Sequence, residues 1–129
     1  MMEPIDRELD ALGKQVVDSA YKVHKALGPG LLESAYESCF VEELNSRGIV
    51  VERQKDLPIT YNQKIVESGF RIDVLVDGKI LVELKSVEKI LRIHQAQLLT
   101  YLKLSGLRLG YLINFNVPLI RDGIERKVL

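Results

Sequence analysis

The sequence of 129 residues has a single cysteine, Cys39, and no tryptophan. One thiol excludes an internal disulfide and fits a reducing compartment, so a cytoplasmic location is expected. Long apolar runs are missing too. The most hydrophobic stretches, such as Leu109 to Phe115, are far too short to cross a bilayer, and no membrane association is expected. The opening MMEPIDRELD is acidic and has no apolar signal core, which argues against secretion. Nor is there an excess of charge of either sign: 18 Lys plus Arg balance 18 Asp plus Glu. That excludes a protein that coats nucleic acid by bulk electrostatics, but not a local basic rim beside an acidic site. No repeat, low-complexity tract or linker divides the chain, so one domain over residues 1–129 is expected, long enough to bury a core without covalent staples.

Hydrophobic periodicity then orders the chain. Ile5, Leu9, Leu12, Val16, Ala20, Val23 and Leu27 recur at helical spacing, and Gly28-Pro29-Gly30 stops the run. A second helix is expected from Leu31 to about Asn45–Gly48, with Leu32, Ala35, Tyr36, Cys39, Phe40 and Leu44 as its apolar stripe. Two short strands, Ile49–Val51 and Leu57–Tyr61, should follow. Val66–Val76 and Lys79–Lys85 read as longer strands around Asp77-Gly78. A third helix over about Glu88–Ser105 precedes a buried strand, Leu107–Phe115, and an edge strand, Ile124–Leu129. This order predicts an α/β (α+β) fold with a mixed central sheet flanked by helices.

The hairpin of the two long strands carries the chemistry. By alternation Phe70, Ile72, Val74 and Val76 should share one face, leaving Arg71 and Asp73 on the other. In the partner strand Ile80, Val82 and Leu84 oppose Leu81, Glu83 and Lys85. If both apolar sets meet one core, Asp73, Glu83 and Lys85 converge. A two-residue Asp77-Gly78 turn would pair Asp73 with Val82 and break that arrangement, so a three-residue connection or a bulge is expected there. Two converging carboxylates repel unless a cation compensates, and Mg²⁺ or Mn²⁺ takes such oxygen ligands. Lys85, two residues beyond Glu83, could then orient a water and offset charge on a phosphate. The competing reading is a solvated strand face bearing an Asp and a Glu–Lys pair.

Arg71-Ile72-Asp73, followed ten positions later by Glu83-Leu84-Lys85, resembles the D…(D/E)-x-K signature of the PD-(D/E)XK nucleases, with Ile72 where proline is usual. Gly30-Leu31-Leu32-Glu33-Ser34-Ala35-Tyr36 matches G-x-x-E-x-x-Y, the motif of the GxxExxY family assigned to that superfamily. Gln97-Leu98-Leu99-Thr100-Tyr101 resembles the Q-x-x-x-Y motif of its exonuclease-like branch. The resemblance implies a restriction-endonuclease-like fold and a metal-dependent phosphodiesterase acting on nucleic acid, DNA being the expected form. It implies Asp73 and Glu83 as metal ligands assisted by Glu33, Lys85 as the residue that handles the water, and Gln97 as an orienting group. Tyr101, His94 and Arg71 are the candidate substrate contacts. Small nucleases of this fold often dimerise, so a homodimer is a further expectation.

Other residues have plainer readings. Tyr36 should pack beneath the site, Glu37 should be a solvated charge, and Cys39 should belong to the core. Lys89, Arg92, Arg121, Arg126 and Lys127 are further candidate phosphate contacts, though such residues are more often solvated surface charges. Gly28-Pro29-Gly30 follows a helix and lacks the Lys and Ser/Thr of a phosphate loop. The alternative to an enzyme is a nucleic-acid- or protein-binding module that keeps the nuclease fold without turnover.

Overall fold

The computed structural model describes residues 4–129. Helices α1 (Arg7–Leu27) and α2 (Glu33–Ser46) lead into strands β1 (Val51–Tyr61), β2 (Lys64–Val76) and β3 (Ile80–Lys85). Helix α3 (Arg92–Ser105), strand β4 (Leu109–Asn114), a 3-10 turn (Ile120–Gly123) and strand β5 (Ile124–Val128) complete the order. The sheet runs β1-β2-β3-β4-β5. It is mixed: β3 and β4 are parallel and every other neighbouring pair is antiparallel. A parallel pair needs a crossover, and α3 supplies it. This is the α+β architecture expected from the sequence, with helices on both faces of a restriction-endonuclease-like sheet.

The sheet separates two apolar clusters. Val16, Ala20 and Val23 of α1 and Tyr36, Phe40 and Leu44 of α2 pack on Val74, Val76, Ile80, Val82, Leu84, Tyr111 and Ile113. Leu98 and Leu102 of α3 pack on Ile72, Leu75, Leu81 and Leu112. Asp6 caps α1, its carboxylate accepting the Leu9 N–H at 2.7 Å, and Gly28 ends it at φ 71°. Among the described residues no helix is long and apolar enough to cross a membrane.

The β2–β3 connection is the three-residue one that strand parity requires. Val76 pairs with Ile80, leaving Asp77, Gly78 and Lys79 outside the ladder. Asp77 and Gly78 both adopt positive φ, and the Lys79 N–H donates to the Val76 carbonyl at 2.9 Å. The left-handed pair makes the tight turn, and the extra residue resets the register.

Four expectations change. The two short strands after α2 are one continuous β1, paired with β2 from Val51↔Val76 onward. Its polar middle lies on an edge strand, where exposed charges are compatible with a ladder that no hydrophobic pattern reveals. Strict alternation along β2 also fails. Phe70 and Ile72 pack on the α3 side with Leu75, whereas Val74 and Val76 pack on the α1–α2 side. The break falls at Asp73, where the Arg53↔Val74 and Lys55↔Ile72 pairs skip one position and Gln54 has φ 49°. Helix α3 starts at Arg92 rather than near Glu88, because Ser86 and Val87 are tied to Leu31 and Asn114 in a non-helical loop. Finally, Cys39 is exposed and Glu37 is buried, the reverse of the expected placement. Helix α2 turns its Tyr36-Glu37-Phe40 face inward, and Glu37 meets Arg53 at 2.9 Å and Gln54 at 2.6 Å.

Candidate active site

Where β2 and β3 pass their last paired residues, Val74 and Val82, side chains take over from the backbone ladder. The Leu84 N–H donates to Asp73 Oδ2 at 2.9 Å, and the Asp73 N–H donates to Glu83 Oε1 at 3.3 Å. Each acid therefore uses the opposite strand's backbone as an anchor, and the two carboxylates are brought together. Glu83 is only 5% exposed. Burial, then the charge of Asp73 and a hydrogen bond to it, pushes the Glu83 carboxyl up to about 9, with Lys85 pulling the other way.

Glu33, the first residue of α2, reaches the same place from the other side. Much of its side chain is in solvent, yet its carboxyl is raised from the ordinary range by partial burial and then by Asp73. Lys85 and a hydrogen bond from the Ser86 backbone oppose that rise. From α3, the Tyr101 hydroxyl is raised by burial and then by the charges of Glu83 and Asp73, so it faces both acids. Gln97 donates to that hydroxyl at 3.0 Å, and the Tyr101 ring packs at 4.6 Å on Phe70.

Asp73, Glu83, Lys85, Glu33, Gln97 and Tyr101 thus gather at one end of the sheet. His94 and Arg71 have other partners. His94 Nδ1 accepts the Leu91 N–H at 3.0 Å, closing the start of α3. Arg71 pairs with Asp56 at 2.9 Å on the exposed β1–β2 ribbon. Of the other candidate cations, Arg126 lies 3.5 Å from Asp10 and Arg121 lies 4.0 Å from Asp122. An open cavity of about 650 Å³ between α1 and residues 118–121 shares no residue with the carboxylate site.

Among the described residues no three His, Cys, Asp or Glu side chains form a ready metal cage. That is compatible with a hard cation such as Mg²⁺, which binds through one or two carboxylates and retains waters. The joined Asp73–Glu83 pair is a donor set of that kind. It is all oxygen, which suits Mg²⁺ or Mn²⁺ rather than a thiolate- or imidazole-seeking ion.

Two supports of the site were not legible in the sequence. Asn114, 2% exposed, accepts the Val87 N–H at 3.1 Å and donates to the Val87 carbonyl at 2.9 Å. Ser86 donates its hydroxyl to the Leu31 carbonyl at 2.6 Å. The polar end of an otherwise apolar β4 was the available signal for Asn114; Ser86 had none.

The profile of a family described as the PD-(D/E)XK nuclease superfamily matches residues 10–127. A solved structure titled "Crystal structure of SSO0001" is similar at 22% identity and a TM-score of 0.48. The match covers 92% of this chain and 58% of that one, so the chain spans less than two thirds of that protein's length. No curated protein matches the chain.

Proposed function

This chain belongs to the PD-(D/E)XK nuclease superfamily, and from that premise we propose that it hydrolyses nucleic-acid phosphodiester bonds with Mg²⁺ or Mn²⁺, as a member of the GxxExxY branch. The observation that carries this reading is the joined Asp73–Glu83 pair, each acid bonded to the opposite strand's backbone, with Lys85 two residues beyond Glu83. A structural role alone does not call for a buried acid held against a second carboxylate, whereas a cation site does.

Asp73 and Glu83 are the proposed ligands and Glu33 the assisting acid. A bound divalent cation would neutralise the acids and polarise a phosphoryl oxygen. Lys85 orients the attacking water and offsets the negative charge that gathers on the phosphate. Glu33 is the proposed third acid, assisting the cation directly or through water. Gln97 fixes the Tyr101 hydroxyl beside the acids, where it can donate to a non-bridging phosphate oxygen. DNA is the proposed substrate and the whole described fold one catalytic domain.

The test is cleavage of a panel of DNA and RNA forms with Mg²⁺, Mn²⁺ or EDTA. Cleavage should require the cation, and Lys85→Ala should reduce it by about 10²–10⁴-fold. Equal rates for Lys85→Ala and the unaltered chain would attribute the activity to a contaminant and defeat the proposal.

A further inference from the structure

The G-x-x-E-x-x-Y segment and the end of the E-x-K strand are joined by a closed circuit of contacts. The Ser86 hydroxyl donates to the Leu31 carbonyl at 2.6 Å. The Leu31 N–H donates to the Tyr36 hydroxyl at 3.1 Å, and that hydroxyl donates to the Gly28 carbonyl at 2.6 Å. The Tyr36 ring lies flat on Phe115, with centroids 4.6 Å apart and planes 5° from parallel. The Phe115 N–H donates to the Lys85 carbonyl at 3.0 Å, and Lys85 leads back to Ser86.

This circuit bridges the gap between Glu33 and Lys85. Glu33 opens α2, whose N-cap is Leu32, a residue with no side-chain acceptor for the free N–H groups of the first turn. Leu32 is itself 78% exposed, so the packing at the start of the helix comes from Tyr36 one turn on. Tyr36 is fully buried and its hydroxyl already both donates and accepts, which leaves it holding the 28–31 turn rather than meeting a substrate.

We propose that the Ser86 and Tyr36 hydroxyls form one strut that fixes the first turn of α2, and Glu33 with it, beside the end of the E-x-K strand, which makes Ser86 a positioning residue of the proposed cation site. This rests on the metal-dependent reading above. It also gives the tyrosine of the G-x-x-E-x-x-Y segment a physical role, since through the 28–31 turn it sets where the glutamate stands.

The test is Mn²⁺ titration of the full chain by calorimetry, without substrate. Ser86→Ala and Tyr36→Phe should each weaken binding by about tenfold, the usual size of an outer-sphere loss. The double variant should be no worse than either alone, because both cut the same strut. Ser86→Thr, which restores the hydroxyl, should bind within about twofold of the unaltered chain. In a Glu33→Gln background Ser86→Ala should have no further effect. Unchanged affinity in Ser86→Ala and Tyr36→Phe, no recovery in Ser86→Thr, or an undiminished loss in the Glu33→Gln background would each overturn the strut. Absence of Mn²⁺ binding by the unaltered chain is a separate result: it overturns the metal-dependent reading, and the strut's role with it.

Discussion

The two faces of the sheet are built differently. Under α1 and α2 the buried set runs without interruption through Tyr36, Phe40, Leu44, Val74, Val82, Ile113 and Phe115. Under α3 the set is smaller, and Glu83 is buried at its edge, paired across the sheet with Leu112. Apolar burial contributes about 25 cal/mol per Å², whereas an ionised carboxylate in the same surroundings opposes folding. The first face therefore holds the fold together, and the second keeps a destabilising pair of acids in place because the first can support it. Stability and the proposed chemistry are divided between opposite sides of one sheet.

That division can be broken most forcefully from the stabilising side. Phe40 is fully buried and meets Phe115 edge-on. Phe40→Ala should lower unfolding stability by about 3–5 kcal/mol, measured by urea denaturation. A loss below about 1 kcal/mol would mean that the α1–α2 face does not hold the fold.

The opposite sign is expected across the sheet. The Glu83 carboxyl is raised from the ordinary value of 4.5 to about 9 in the fold. Between those values the native state binds more protons than the unfolded chain, so stability falls as pH rises. In EDTA the stabilisation by protonated Glu83 should be complete below about 4.5 and lost by about 9. Glu83→Gln cannot ionise, so at pH 8 in EDTA it should be more stable than the unaltered chain by about 0.5–2 kcal/mol, while losing Mn²⁺ binding. Thermal melts against pH check this, and a lower melting temperature for Glu83→Gln at pH 8 would sink the contrast between the faces.

Cys39 offers the smallest and sharpest control. It lies on α2, the helix that packs the stabilising face, but points outward. Cys39→Ser should change stability by less than about 0.5 kcal/mol. A larger loss in thermal melts would place the thiol in packing contact and restore its expected core role.

The convergence of Asp73 and Glu83 was legible because register is arithmetic. The apolar residues around Asp77-Gly78 demand an odd connection, and Val76↔Ile80 supplies it. The same arithmetic failed a few residues away. Ile72 changes sides because Gln54 interrupts the ladder opposite Asp73, and nothing in the local alternation of β2 reports what its neighbour strand does. Glu37 shows a related blindness. Helical spacing put it near Glu33, but Arg53 and Gln54, from a strand not recognised as continuous, allow the charge to be buried.

What the sequence determined by itself was whatever depends on near neighbours along the chain. That includes the long α1, its stop at Gly28-Pro29-Gly30, the three-residue connection at Asp77-Gly78-Lys79, and the Asp73, Glu83 and Lys85 set. Periodicity and turn geometry are properties of short segments and can be read from them. Tertiary structure alone decided that Glu37 is buried and Cys39 exposed on α2, and that Ser86 and Asn114 fix the loop behind Lys85. Those depend on hydrogen bonds and burial between residues as many as 55 positions apart, as for Ser86 and Leu31, and contacts at that range form only when the whole sheet is assembled. The trio that the sequence marked as a site became, in the fold, one part of a larger assembly held from two helices.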